Sequence, residues 1–347
     1  MRHSSKALSA WALVLSVSVL WSTGGCHKGK NVGKGDTGGK FVFLSTNQRA
    51  GDVDEAMSKV ENMKALLADA DGVYAPNEPT TFGMLRGLQN LKLAGKVRFV
   101  GFDGGKNLAD GLAGKQIDAL VLQDPVRMGY LGVQTLIDHL RGKTVPPTVD
   151  TGCRLATPDN MNTEAVKGLL VPEVKASAPE GVPATQGKEF IAVIPKGTTH
   201  VFWQSVEAGA RKAAAESGVE MIWKAGVKED DLDAQVTVIE AMISRGVSGI
   251  VLAPVHSTAL AKQVANAKKK GIPVVVIDSA LEGHDYVSFV ATDSYKGGQM
   301  AAAEMIRLLP HGGRLVVLRY LEGHVSTAQR EQGFIDGIEA FNKTGGK

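Results

Sequence analysis

From Phe41 onward, short runs of apolar residues alternate with longer stretches whose apolar positions recur every three or four residues. The short runs of the first half are FVFLST, GVYAP, VRFVGFD and IDALVLQ. Those of the second half are FIAVIP, VEMIWKA, GIVLAP, IPVVVID, VSFVATD and RLVVLRY. Most are rich in Val and Ile and apolar at consecutive positions, the pattern of a strand buried on both faces. The stretches between them, such as Val206–Ser217, Leu232–Ser244 and Ala259–Lys270, predict amphipathic helices. Strands of this kind separated by helices predict an α/β, doubly wound fold with helices on both faces of parallel sheets. Residues 163–187 (TEAVKGLLVPEVKASAPEGVPATQG) interrupt the alternation with three prolines and no period, and read as a linker.

The first forty residues have a different character. Arg2 and Lys6 precede an apolar run, Ala7–Trp21, that is broken only by serines, and Thr23-Gly24-Gly25 then leads into Cys26. The run is too short and too rich in serine for a good membrane-spanning helix. This segment resembles a bacterial lipoprotein signal, with residues 1–26 removed up to a lipidated Cys26. Such an anchor would hold the chain in the periplasm or cell envelope. Residues 27–40, rich in Gly and Lys, read as a flexible tether. Cys153 is the one other cysteine, so no internal disulfide framework is expected, and it reads as a small buried hydrophobe.

Composition is that of an ordinary globular chain: 347 residues, 44% hydrophobic, 22% charged, formal net charge +3. The length suggests two domains. So small a charge excess, without a dense basic stripe, gives no reason to expect a nucleic-acid partner. Lys268-Lys269-Lys270 closes a helical pattern, where the helix dipole favours cations. No H-E-x-x-H, G-x-S-x-G, paired C-x-x-C or P-loop occurs, and VGFDGG is not a dinucleotide-binding turn. An enzyme, a metal site or a bound cofactor is therefore not expected.

The second half, through IAVIPKGTTHVFWQSVEAGARKAA, GIVLAPVHSTAL, GIPVVVIDSAL and VSFVATDSYKGGQMAAAEM, resembles the opening of a ribose-type periplasmic sugar-binding protein. RLVVLRYLEGHVSTAQREQGFIDGIEAF resembles the start of that family's second lobe. The first half supplies what should follow: VFLSTNQ, GVYAPNEPTTFGMLRGL, KVRFVGFDGGKNL, IDALVLQDPVRMGYLGV and VDTGCRLATPDNM. Thr37-Gly38-Gly39-Lys40 recurs as Thr344-Gly345-Gly346-Lys347, as tandem duplication and trimming would leave. The resemblance thus implies a circularly permuted pair of Rossmann-like lobes joined by a three-strand hinge. Lobe A would comprise residues 126–149 with 188–311, and lobe B residues 41–124 with 151–162 and 313–347, crossing near Pro125, Thr151 and Gly312. It further implies a monomer that binds a monosaccharide or related polyol between the lobes. The sugar would then be delivered to an ABC-type permease or, alternatively, sensed through a chemoreceptor or sensor kinase.

Candidate ligand residues follow the strands, where open α/β sheets hold their ligands. After FIAVIP come Lys196, His200, Phe202 and Trp203. In the family an aromatic here stacks on the sugar's apolar face; a core aromatic is the alternative, as a solvated loop position is for His200. Asp278 and Asp293 end IPVVVID and VSFVATD, and either would accept from sugar hydroxyls or cap the next helix. Asn77, Asp103, Gln123 and Arg330 match the family's amide, carboxylate, hinge amide and guanidinium; a surface ion pair with Glu331 is the other reading of Arg330. The chain departs from the ribose pattern at Asp278-Ser279, where ribose binders carry Asp-Arg, and near Gly51-Asp52-Val53, where they have an aromatic. Glu322, His324 and Ser326 of LEGHVST are the candidates to compensate.

Overall fold

The structure, a computed structural model, describes residues 37–172, 189–226 and 228–345. The leader, Cys26 and most of the tether lie outside these residues, as does 173–188. In chain order the first six strands are β1 (Phe41–Arg49), β2 (Gly72–Tyr74), β3 (Arg98–Phe102), β4 (Ala119–Gln123), β5 (Thr148–Asp150) and β6 (Cys153–Ala156). The others are β7 (Phe190–Ile194), β8 (Glu220–Trp223), β9 (Gly249–Leu252), β10 (Val274–Ile277), β11 (Ser288–Ala291) and β12 (Gly313–Arg319). The helices begin with α1 (Val53–Asn62), α2 (Lys64–Asp69), α3 (Glu78–Asn90), α4 (Lys106–Ala113), α5 (Pro125–Leu140) and α6 (Glu164–Leu170). They continue with α7 (Val201–Ser217), α8 (Leu232–Arg245), α9 (Ala261–Lys269), α10 (Ser294–Leu308) and α11 (Val325–Lys343).

Two six-stranded sheets result, of order β5-β11-β10-β9-β7-β8 in lobe A and β1-β12-β2-β3-β4-β6 in lobe B. Every pairing is parallel except β4 with β6. Strands β4, β9 and β10 are buried along their whole length, as their unbroken apolar runs require. Each sheet carries an apolar cluster on either face.

The chain passes between the sheets four times, and the passage from α6 to β7 runs through residues outside the described ones. The chain leaves β4 for α5, which packs on α7 and the β9–β11 strands of lobe A. It returns between β5 and β6, so VDTGCRLAT is two strands in two sheets. The last crossing lies between β11 and α10, and here the expectation of lobe A extending to residue 311 is corrected. Helix α10 packs on α11, β3 and β4 of lobe B, with Ala301, Ala302 and Met305 in that lobe's core. Its small-residue face fits either sheet, and only the packing decides which. Two crossing segments are tied together by the buried Thr151–Thr292 hydroxyl pair at 3.0 Å.

Two further expectations are corrected. The start of the linker is helical: Val166 and Leu170 of α6 are buried in lobe B, and the Leu170 carbonyl accepts from Gly105 N at 2.7 Å. One short apolar pair in a Pro-rich setting carried too little period to show this. Cys153 is half-buried rather than buried, at the margin of the β1–β12 cluster.

Candidate functional site

The carboxyl ends of both parallel sheets face one cleft, the position where such folds bind ligands. Residues of both lobes line a cavity there, with about 360 Å³ of empty space that includes space open to solvent. The two walls are built alike. Asp103 follows β3 and Asp278 follows β10, and both adopt left-handed backbone, at φ 69° and 63°. Non-glycine residues rarely hold that conformation, and such strain concentrates at functional sites. His200 and His324 likewise each precede a helix, α7 and α11, whose first turn borders the cavity.

On the lobe A wall, Lys196 Nζ lies 2.6 Å from Asp278 Oδ2 and donates to Ser279 Oγ at 2.6 Å. Both side chains are at most 5% exposed, so each provides the other's buried counter-charge. Glu229, in the loop after β8, is the hub of a second network. One carboxylate oxygen meets His200 Nδ1 at 2.7 Å and accepts from the Trp203 indole; the other accepts from Tyr320 Oη at 3.1 Å. Burial alone would raise Glu229, but the His200 hydrogen bond and charge, with Lys196 behind them, hold it at about 2. Burial opposes His200's charge, yet Glu229 raises its pKa above the usual histidine value. The pair is therefore stabilised as ions.

On the lobe B wall, Asn77 caps α3 through Oδ1, which accepts from Thr80 N at 3.4 Å. Asp103 accepts from Gln123 Nε2 at 2.7 Å and from Glu78 N at 2.9 Å. Burial pushes its pKa up, against Arg330 and these hydrogen bonds. Arg330 lies 4.2 Å over the Phe102 ring, donates to the Pro76 carbonyl at 3.2 Å and stands 3.9 Å from Asp103. Its anticipated alternative partner, Glu331, pairs instead with Arg319 and the Tyr320 amide. Gln123 Oε1, His324 Nδ1 and Arg330 Nε are buried without a hydrogen-bond partner among the described residues. Burial and Lys196 press His324 down to about 4, so it is neutral near pH 7.

Nine of the ten anticipated residues line this cavity: Asn77, Asp103, Gln123, Lys196, His200, Phe202, Trp203, Asp278 and Arg330. Asp293 does not. Its carboxylate accepts from Lys296 N at 3.0 Å and caps α10, on the exposed side of the crossing. Glu322 is also elsewhere, 82% exposed and 3.4 Å from Arg49, whereas His324 and Ser326 line the cavity. Trp203 is 2% exposed and offers the cavity little more than an edge, with Phe202 perpendicular to it at 4.9 Å. Glu78, Glu229 and Tyr320 line the cavity without having been anticipated. Tyr320 directly follows β12, so the strand-end rule finds it, while Glu78 follows the anticipated Asn77 at the start of α3. Glu229 lies six residues beyond β8, with no local signal.

The lobes meet over the cavity. Besides Tyr320–Glu229, Ser279 Oγ and Ser326 Oγ are 2.9 Å apart, and Gly323 packs against His256.

A family model described as the periplasmic binding protein domain matches residues 29–144 and 191–346. The ribose import binding protein RbsB of Bacillus subtilis is 32% identical over 148 residues, 42% of this chain and 48% of its own length. The xylitol-binding protein of Mycolicibacterium smegmatis is 31% identical over 127 residues, 37% of this chain and 36% of its own. A solved carbohydrate transporter solute binding protein from Agrobacterium radiobacter, in complex with D-arabinose, is 32% identical with a TM-score of 0.43, covering 45% of this chain and 54% of that one. The chain spans about half the length of the curated relatives it matches.

Proposed function

This chain belongs to the periplasmic binding protein domain family, and from that premise we propose that it captures a monosaccharide or related polyol between its lobes and delivers it to an ABC-type permease. The observation that carries this reading is the lining of the cavity. One guanidinium, several carboxylates, two amides, the Phe202 ring and an edge of Trp203 converge there, with three buried polar atoms left unpartnered among the described residues. An apolar ligand would leave those atoms unpaired, at a cost of about 1–3 kcal/mol each. A polyol brings hydroxyls to them and C–H faces to the aromatics. The binding proteins similar to this chain, for ribose and xylitol among others, support the same class.

Binding then acts through conformation, with no covalent step. A ligand held by both walls favours the closed arrangement over an open one. Lipidation of Cys26 would keep the domain beside its permease, and a Cys26→Ser variant that still partitions with detergent would remove the anchor. We also propose that the chain order is permuted.

Calorimetry of the full chain against pentoses, hexoses, polyols, amino acids and dicarboxylates tests the ligand class. The expected dissociation constant for one sugar or polyol is below about 10 μM, or about −7 kcal/mol. Asp103→Ala and Arg330→Ala should each weaken it at least tenfold with cooperative unfolding retained. Tight binding of an amino acid or dicarboxylate, with every sugar silent, would overturn the reading.

A further inference from the structure

The charged groups of the cavity do not cancel. Asp278 is matched by Lys196 at 2.6 Å, Glu229 by His200 at 2.7 Å, and Asp103 by Arg330 at 3.9 Å. A fourth carboxylate, Glu78, opens α3 and lines the same cavity. Its side chain has no hydrogen-bond or ion-pair partner among the described residues, although its backbone amide is committed to Asp103. The remaining histidine, His324, offers no counter-charge, because it is held neutral.

We infer that the cleft, on the reading that it holds a sugar or polyol, is built for one bearing a protonated amine, an aminodeoxy sugar or amino-polyol, with Glu78 as the counter-ion of that amine. The other unpartnered atoms set the rest of the requirement. Arg330 Nε is a donor that needs an acceptor, and Gln123 Oε1 is an acceptor that needs a donor. A simple ammonium has donors for Gln123 but no acceptor for Arg330, whereas a hydroxylated amine meets both. A neutral sugar would bring no counter-charge to Glu78 at the cavity wall. The side chain's own titration reflects that cost: burial, opposed by His200 and reinforced by Asp103 and Glu229, raises Glu78 to about 7. An ammonium group at the acid reverses the effect and keeps it ionised.

The test is calorimetry of the full chain at pH 7.5 with paired probes: 2-amino-2-deoxy and 3-amino-3-deoxy aldoses and 1-amino-1-deoxy polyols, each beside its hydroxyl parent. At least one amine should bind ten or more times tighter than its parent, and Glu78→Gln should bring that ratio close to one. The wild-type comparison stands even if the variant is poorly behaved. If parents bind and no amine exceeds its own parent, or if the ratio survives Glu78→Gln, the amine assignment is wrong and the sugar reading stands. Silence from both series overturns both.

Discussion

Asp103 and Asp278 occupy equivalent strand ends in the two lobes and carry the same backbone strain. Each is held in it by its partners, Gln123 and the Glu78 amide for one, Lys196 for the other. Glu78 is held by none, and stability should report this. Its carboxyl is raised from 4.5 to about 7 on folding. Protonation is thus favoured in the folded state, and the penalty is absent below pH 4.5, grows through the interval and is complete above about 7. Glu78→Gln removes it. Without sugar, the variant should be more stable than wild type by up to about 3 kcal/mol at pH 8 and nearly equal at pH 5. Urea unfolding at both values checks this, and an equal difference at each pH contradicts it. Much of the site was legible residue by residue, because strand-end acids, amides and aromatics announce themselves. Asp293 shows the limit: a strand-end aspartate serves a helix cap or a ligand equally well, and only its surroundings distinguish them.

At the scale of elements, each lobe has a helix pair in close backbone contact. A Cβ on Gly209 of α7 would fall 1.8 Å from the Val126 carbonyl oxygen, and one on Gly129 of α5 1.9 Å from that of Val206. In the other lobe Gly298 of α10 and Gly333 of α11 face the carbonyls of Arg330 and Tyr295, each at 2.1 Å. These obstacles are backbone, so the helices must separate to admit a methyl group. Gly209→Ala and Gly333→Ala should each cost about 1–3 kcal/mol or more in denaturant unfolding. Gly168→Ala, in α6 with nothing within 4 Å, should be neutral or stabilising by up to about 1 kcal/mol. Gly333→Ala should also weaken ligand binding, because Arg330 sits at the closest approach of its pair. Equal stability of all three variants would contradict the close-packing argument. The same pair exposes what the pattern of α10 left open: glycines and alanines suit any tight contact, so the helix's lobe could not be read from its sequence.

In the whole molecule the two ends of the described chain are already neighbours. Phe41 N donates to Asn342 Oδ1 and Asn342 Nδ2 returns a bond to Phe41 O, both at 2.8 Å. The rings of Phe41 and Phe341 meet at 5.5 Å, and Gly313 N donates to Lys40 O at 3.1 Å. Joining these ends disturbs little buried backbone. A gene encoding residues 188–347 followed by 41–172, which keeps α6 with its buried Val166 and Leu170, should therefore yield a soluble two-lobed protein binding the same sugar within about threefold. Reordering alters loop closure, which costs only about 0.6 kcal/mol per doubling of loop length. An insoluble product, or loss of binding beside an active natural order, would contradict the proposed permutation.

The strands, most helices and the α/β class were determined by the sequence itself, because periodicity is local and each period matches one kind of burial. Membership of β1 and β12 in one sheet, 272 residues apart at their first paired positions Phe41 and Gly313, is a long-range fact, as are the lobe of α10 and the reach of Glu229 across to Tyr320. Such pairings depend on which apolar faces and charges meet after collapse. A residue's own neighbours carry no record of that meeting, and the tertiary structure alone decides it.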